Sequence, residues 1–506
     1  MRTTNVSTLP ARTAVRATLA AAALAVSAAV AALAVSAALP AQRPEAGRVD
    51  DLAAALLQAG DLPSLSIAIL RDGEVAYARA FGYAELEARA PATPHTRYRC
   101  ASVSKVITAT AIGRLVQQGR LDLDAPVSSY VPSWPAEPAI TARQLSGHLS
   151  GVSHYRGEDR MEAGRYWESV TRSLDVFRDS PRAGPPGDAY LYSTHGFTLL
   201  SAVAEGASGR PFLELLDAEV FGPLGMADSG PDTRSAPAST MSTLYARRAG
   251  DPVLIETPED PSYKWAGGGL VSTPSDLVRL AGAYLDGHLS PEVVEEMWTT
   301  QRTNAGEETG VGVAWRIGED FQGRRIIHHA GSMGGARSTI VIWPDSREAI
   351  AVMTNVVWNS AIMETGLMLM EAYRAPAAAA SAGAASGAAT RSGVAAGSGA
   401  AGAAREMAYT GEMTRGGESG PTAGTLTLDG TGGWIETPGP FADWTGDMTI
   451  ERMRFFRIEG DRHVLISPIG AFPLELVDGA GDVDGVMTIG SIEWRFRAEP
   501  GSTGRR

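Results

Sequence analysis

The sequence predicts a mixed α/β (α+β) chain of antiparallel strands and helices, followed by a small all-β domain. Three observations carry this. Strand-like runs at 64–83 and 338–354 enclose a long stretch that is mainly helical and loop, as an α-rich insertion between strands would be. Residues 375–405 are almost entirely Ala, Gly and Ser, a composition that builds no core and marks a flexible linker. Beyond it, short apolar runs alternate with Gly/Asp turns, the pattern of a small β-barrel or sandwich.

From the N-terminus, residues 1–41 read as an export signal: Arg2, Arg12 and Arg16, with no acidic residue, precede an apolar run from Ala17 to Leu39, and Ala41 before Gln42 fits a cleavage point. At about 20 residues the run also suits an uncleaved N-terminal membrane anchor. A periplasmic or extracellular protein, free or tethered, is therefore expected. In the first domain, residues 42–374, an amphipathic pattern over 48–58 predicts a helix, and Asp72-Gly73 between apolar runs at 64–70 and 74–83 predicts a hairpin. A helix starts near Ser102 and ends near Gly119; a Pro/Gly-rich loop from Gly184 leads into another that ends near Gly206. Gly267-Gly268-Gly269 reads as a tight chain reversal near the wall of a site. Strand-like runs at 338–343 and 349–354 and a helix over 360–373 close the domain. In the second domain, residues 406–498, runs at 425–428, 448–450, 463–466, 472–477, 487–489 and 492–496 predict strands, and 499–506 a disordered tail. It carries no catalytic constellation and is expected to be dispensable for folding of the first domain.

Composition narrows the chemistry. Against 44 Lys+Arg stand 57 Asp+Glu, a formal net charge of −13 with no basic cluster, which argues against nucleic acid as a partner. Cys100 is the only cysteine, so there is no internal disulfide and no Cys-rich metal site. The eight histidines form no H-E-x-x-H pattern, no G-x-S-x-G elbow occurs, and Gly267-Gly268-Gly269 lacks the Lys-Ser/Thr of a phosphate loop, so no metal or cofactor is expected.

What remains is Ser102-Val103-Ser104-Lys105. The chain has two lysines, Lys105 and Lys264, against 42 arginines, so these look like positions where arginine would not serve. Lysine can shed its proton near neutral pH when desolvated, and arginine cannot. On a helix, i and i+3 share a face, which sets a hydroxyl nucleophile beside an amine base. Tyr192, just before a helix, is a candidate acid or base once a nearby cation lowers its pKa. After His328-His329, the small residues Ala330, Gly331 and Ser332 would let a substrate backbone lie against a strand. Each stretch alone also fits a packing role.

Together they resemble the beta-lactamase-related serine hydrolases, the class C beta-lactamase and DD-peptidase superfamily (S12 peptidases), over residues 48–373. The family order of S-x-x-K, Y-x-N and a K-T-G or H-x-G strand box falls here on Ser102 to Lys105, Tyr192-Ser193-Thr194 and His329-Ala330-Gly331. Leu145 to Val152 and Pro223 to Met226 support it, Tyr263 to Thr273 is similar to LACTB-type members, and the β-domain resembles a lipocalin-like module. The resemblance implies an antiparallel sheet with helices on both faces and an active site beside the α-rich subdomain. It implies an acyl-enzyme on Ser102, a relay through Lys105 and Tyr192, an oxyanion hole from the N–H groups of Ser102 and Ser332, and substrate contacts from Thr194, His329 and Gly331. Two boxes depart from the pattern: Thr194 replaces an amide that both donates and accepts, and His329 is largely neutral near pH 7 where lysine would be charged. Arg337 is the candidate replacement cation. Peptidase or esterase action on small peptide, acyl-amide or ester substrates is expected ahead of efficient beta-lactamase activity. The competing expectation is a catalytically weak scaffold or self-assembling homo-oligomer, since LACTB-type members include a filament-forming protease.

Overall fold

Helix α1 (Pro44–Gly60) runs into a hairpin of β1 (Ser64–Arg71) and β2 (Glu74–Glu85), where Arg71 pairs with Glu74 across a two-residue turn. Asp72 and Gly73 both have positive φ, 53° and 80°, the turn whose twist matches that of the flanking strands. In this computed structural model the described residues are 44–376 and 404–500, without 157–164, 234–239, 249, 257, 416–417, 430–431, 438–451, 480 and 490–491. The expectations for residues 1–41, most of the linker, the run at 448–450 and residues 501–506 lie outside them.

The main sheet has seven antiparallel strands in the order β3-β2-β1-β7-β6-β5-β4. The others are β3 (Ala90–Pro91), β4 (Arg316–Glu319), β5 (Arg325–Met333), β6 (Ala336–Trp343) and β7 (Glu348–Thr354). β1 lies beside β7 with Ile67 opposite Val352, so the N-terminal hairpin completes a sheet begun by the last strands of the domain. Between β3 and β4 the chain makes its α-rich excursion through α2 (Ser104–Gln117), α3 (Thr194–Ser208) and α4 (Pro274–Leu285). Side-chain alternation divides the core in two. Ala68, Leu70, Ile340, Ile342, Ala351 and Met353 face the cluster holding α2 to α4. Leu65, Ile67, Ile69, Val341, Trp343 and Val352 face α1 and α5 (Ile362–Arg374).

The C-terminal strands close into an antiparallel barrel, β8 (Arg405–Arg415), β9 (Glu418–Asp429), β10 (Gly432–Glu436), β11 (Arg452–Glu459), β12 (Arg462–Ser467), β13 (Gly470–Asp478), β14 (Val483–Ile489) and β15 (Ile492–Pro500). Strand β15 reaches two residues into the expected tail. Met407, Tyr409, Leu426, Phe455, Trp494 and Phe496 are buried in one cluster of the barrel. Its outer wall is not independent of the rest. Val464, Ile466 and Ala471 share a buried cluster with Val49, Leu52, Leu367 and Met370 of α1 and α5. Ala361 N–H donates to Ile469 O (2.9 Å), Ala471 N–H to Thr365 Oγ1 (3.1 Å), and Glu371 receives Arg324, Arg374 and Arg462. Removing the barrel would expose this apolar surface, which argues against its being dispensable for folding of the first domain.

Candidate active site

The nucleophile turn is built where three backbones converge. Ala101–Val103 forms a 3₁₀ turn that continues into α2, so Ser102 and Lys105 straddle the junction rather than sharing one helix. Ala101 is held at φ 45°, a conformation that costs energy for a residue with a Cβ. Cys100 N–H donates to Leu270 O (2.8 Å), and Cys100 O accepts from Ser338 Oγ (2.6 Å) on β6. Gly331 on β5 brings a third backbone in: a Cβ there would lie 3.0 Å from Ser102 N and 2.5 Å from Ser338 Oγ. Only glycine lets β5 approach this closely.

Lys105 is fully buried. Its Nζ lies 3.4 Å from Ser102 Oγ, 3.1 Å from Thr194 Oγ1 and 2.5 Å from Gly267 O. Burial lowers its pKa well below the usual lysine value, and the charges of Lys264 and Arg316 add to this. Its place in the first turn of α2, at the positive end of the helix dipole, acts in the same direction. As an ammonium, Nζ donates to all three oxygens. As a neutral amine it keeps two N–H bonds, to Gly267 and Thr194, and turns its lone pair to the Ser102 hydroxyl, the arrangement of a general base.

Tyr192 also reaches Ser102, its hydroxyl donating to Ser102 Oγ at 2.8 Å, while Lys105 Nζ lies 4.9 Å from the centre of its ring. The expected lowering of its pKa by a cation is not what the environment gives. Desolvation dominates and raises it, with Ser102, Arg316 and Thr194 acting weakly the other way. Tyr192 therefore holds its proton and suits the donor's role better than the base's. Its loop is fixed by two histidines, His148 within the supporting stretch Leu145 to Val152 and His154 just beyond it, which no motif singles out. Ser193 N–H donates to His148 Nδ1 and Thr194 N–H to His154 Nδ1, each at 3.1 Å, and the His148 ring lies 4.4 Å from that of Tyr192. Ser193 also caps α3, its Oγ accepting from Gly196 N–H at 2.8 Å.

A cavity of about 570 Å³ opens over this relay, lined by Ser102, Tyr192, Thr194, Ser332, His154 and Gly267 among others. Ser102, Lys105, Tyr192 and Thr194 thus come together, and Gly331 and Ser332 lie alongside. Gly267 sits in a short helical turn, Trp265–Gly268, rather than a reversal, and its carbonyl reaches the base. His329 does not reach the cavity. It is 2% exposed, hydrogen-bonded through Nδ1 to Ala330 O (2.8 Å), and burial together with Lys105 and Arg316 pushes its pKa well down. A buried neutral ring cannot meet a substrate carboxylate, so the expectation of direct substrate contact is corrected. Arg337 is also committed elsewhere, its Nε donating to Val357 O at 2.6 Å. The charged groups on the cavity wall are instead Lys264 and Glu259. Both lysines of the chain therefore serve this region, while Glu259, His154 and Arg316 carry no sequence signal beyond their identity. Among the described residues, no group of His, Cys, Asp and Glu could hold a metal ion.

A protein-family model described as Beta-lactamase matches residues 49–369, well over half of the chain. The chain belongs to the beta-lactamase family. It is a serine hydrolase by that membership, and its sheet, helices and appended barrel have the mixed α/β architecture that the sequence predicts. Among its beta-lactamase family relatives, the mouse serine beta-lactamase-like protein LACTB, mitochondrial, is 27% identical over 396 residues, spanning 58% of this chain and 72% of its own. Esterase EstB of Burkholderia gladioli is 29% identical over 335 residues, spanning 57% and 84%. The octameric penicillin-binding protein homologue from Pyrococcus abyssi shares the fold with a TM-score of 0.53 at 23% identity, over 89% of this chain and 99% of its own.

Proposed function

We propose that this serine hydrolase cleaves amide or ester bonds of small peptides or acyl substrates through an acyl-enzyme on Ser102. The observation that carries the reading is the Ser102 hydroxyl set between a desolvated amine, Lys105, and the Tyr192 hydroxyl 2.8 Å away. As Ser102 Oγ bonds to the carbonyl carbon, its proton passes to Lys105 Nζ. The oxyanion rests on the N–H groups of Ser102 and Ser332, donors worth about 3 kcal/mol each in such sites. Collapse breaks the C–N or C–O bond, and the leaving amine or alcohol takes the Tyr192 proton, which the Lys105 ammonium restores. Water then repeats the sequence, losing a proton to Lys105 and releasing the acid. His329 is buried and neutral and Arg337 is engaged by Val357, so neither supplies the charge that a lysine in the strand box would offer a substrate carboxylate, which favours a peptidase or esterase over an efficient beta-lactamase.

Labelling of the full chain with a fluorophosphonate probe, with the adduct mapped by mass spectrometry, tests this. Wild type labelled at Ser102, with Ser102→Ala and Lys105→Arg unlabelled, is the expected result. An inert wild type that assembles with concentration would replace this reading with that of a scaffold. Export is part of the proposal and rests on residues 1–41. Among the described residues no helix is long and apolar enough to cross a membrane. Mature protein beginning at Gln42 would support cleavage and release.

A further inference from the structure

Beyond the proton relay, the cavity wall holds one ion pair, Glu259 with Lys264. Its two members are not equally accessible. The Lys264 side chain is 6% exposed and that of Glu259 34%, so the carboxylate is the member that meets a visiting molecule. Lys264 Nζ is enclosed by the rings of Tyr155 and Tyr263, each centroid 5.1 Å away, and it engages Glu259 Oε1. Among the described contacts the other oxygen, Oε2, has no protein donor.

Glu259 is also held in place. Arg99 donates to its carbonyl oxygen (3.0 Å) while pairing with Asp232 (2.6 Å). Downstream, Asp260 Oδ1 accepts from Ser262 N–H (3.0 Å), and Ser262 Oγ accepts from Trp167 N–H (2.8 Å). A fixed carboxylate oxygen facing a cavity accepts hydrogen bonds and offers none, so a cationic donor complements it. An anionic group would meet Glu259 before it could reach Lys264.

We propose that Glu259 is a specificity-determining residue that receives the ammonium of a substrate with a free amino group, selecting aminoacyl amides and esters. This deepens the serine-hydrolase reading and rests on it. Lys264 keeps one carboxylate oxygen occupied and the other turned to the cavity, and the substrate ammonium completes the pair. A substrate whose amine is acylated offers no charge and leaves that oxygen without its ionic partner.

The test uses the p-nitroanilides and methyl esters of D- and L-alanine, each with a free, N-acetylated or N-succinylated amine, on the full chain. Fluorophosphonate labelling of Ser102 is measured in parallel. The expected result is a kcat/KM for the free amine about tenfold to a hundredfold above that of the N-acetyl form, the range of one charge-assisted bond. In Glu259→Gln that ratio collapses towards one, and Glu259→Ala checks the same ratio should Gln perturb the loop. The proposal is overturned if wild type prefers the N-acetyl form, if it prefers the N-succinyl form (which would make Lys264 the partner), or if both variants keep the free-amine preference. Ser102 labelled without turnover of any free-amine substrate also overturns it while sparing the hydrolase reading. Ser102 unlabelled and no turnover sinks both.

Discussion

The two faces of the seven-stranded sheet are covered in opposite ways. The face towards α2 buries polar groups, Lys105, His148, Thr194 and His329 among them: Lys105 is held by Thr194 and the Gly267 carbonyl, His148 by the Ser193 N–H, and His329 by the carbonyl of its neighbour Ala330. The face towards α1 and α5 is packed with aliphatic side chains, and the barrel continues that apolar packing through Val464, Ile466 and Ala471. Polar burial costs free energy unless partners are supplied, so its concentration on one face marks where chemistry is done. The other face is mainly a packing surface with demands of shape, and its buried carboxylate, Glu371, is matched by Arg324, Arg374 and Arg462.

This contrast can be sharpened or broken by substitution. The largest effect belongs to Lys105→Met, which removes the base; kcat/KM is expected to fall by about 1,000-fold, the order of general-base catalysis, with a much smaller change in thermal midpoint. In wild type the same amine makes activity rise with pH as it loses its proton. Because its pKa is lowered, the rise should be complete well below the ordinary lysine range, as a pH–rate profile would show. Gly331→Ala would push β5 from the nucleophile turn, and a displacement of that kind costs on the order of 100-fold in rate, readable beside an unchanged circular dichroism spectrum.

On the packing side, Gly470→Val should act on stability alone. Gly470 has φ 145°, and a Cβ there would lie 2.7 Å from Thr365 Oγ1 and 2.8 Å from Ala361 Cβ. The expected loss is about 2 kcal/mol in denaturant unfolding, with fluorophosphonate labelling of Ser102 retained. A fall in labelling rate as large as that of Gly331→Ala would break the distinction between the faces.

Acid should separate the faces more gradually. Burial lowers the pKa of His148 and His329 well below 6.5, and takes His195 to about 4. As pH falls through 6.5 the unfolded chain binds protons that the folded one refuses, so folding weakens, and for His195 it keeps weakening until about pH 4. Each such histidine costs roughly 1.4 kcal/mol per pH unit in that window. Hydrogen exchange between pH 7 and 5 should therefore loosen α2 and α3 before the barrel. The smallest change is in the hairpin, where Gly73→Ala at φ 80° should cost about 1 kcal/mol in the same unfolding assay and leave activity intact.

What the sequence disclosed was local. Asp72-Gly73 announced its turn, and Ser102, Lys105 and Tyr192 were legible because the chemistry restricts residue type and spacing over a few positions. Tertiary burial was not. The raised pKa of Tyr192, the withdrawal of His329 from the cavity and the engagement of Arg337 by Val357 depend on neighbours 20 or more positions away or on depth in the core. Glu259 and His154 lie in ordinary-looking loops, and nothing in their flanks shows which cavity they line. The barrel was readable as β-structure, but its seat on α1 and α5 was hidden, because outward apolar residues on its strands look the same whether they meet water or a helix.

The seat of the barrel also changes what the Ala/Gly/Ser segment between the two domains is for. Since the ion pairs of Glu371 and the buried contacts of Val464 and Ile466 hold the barrel, the connecting peptide supplies high effective concentration rather than grip. A chain nicked within 377–403 should elute as one particle of two polypeptides.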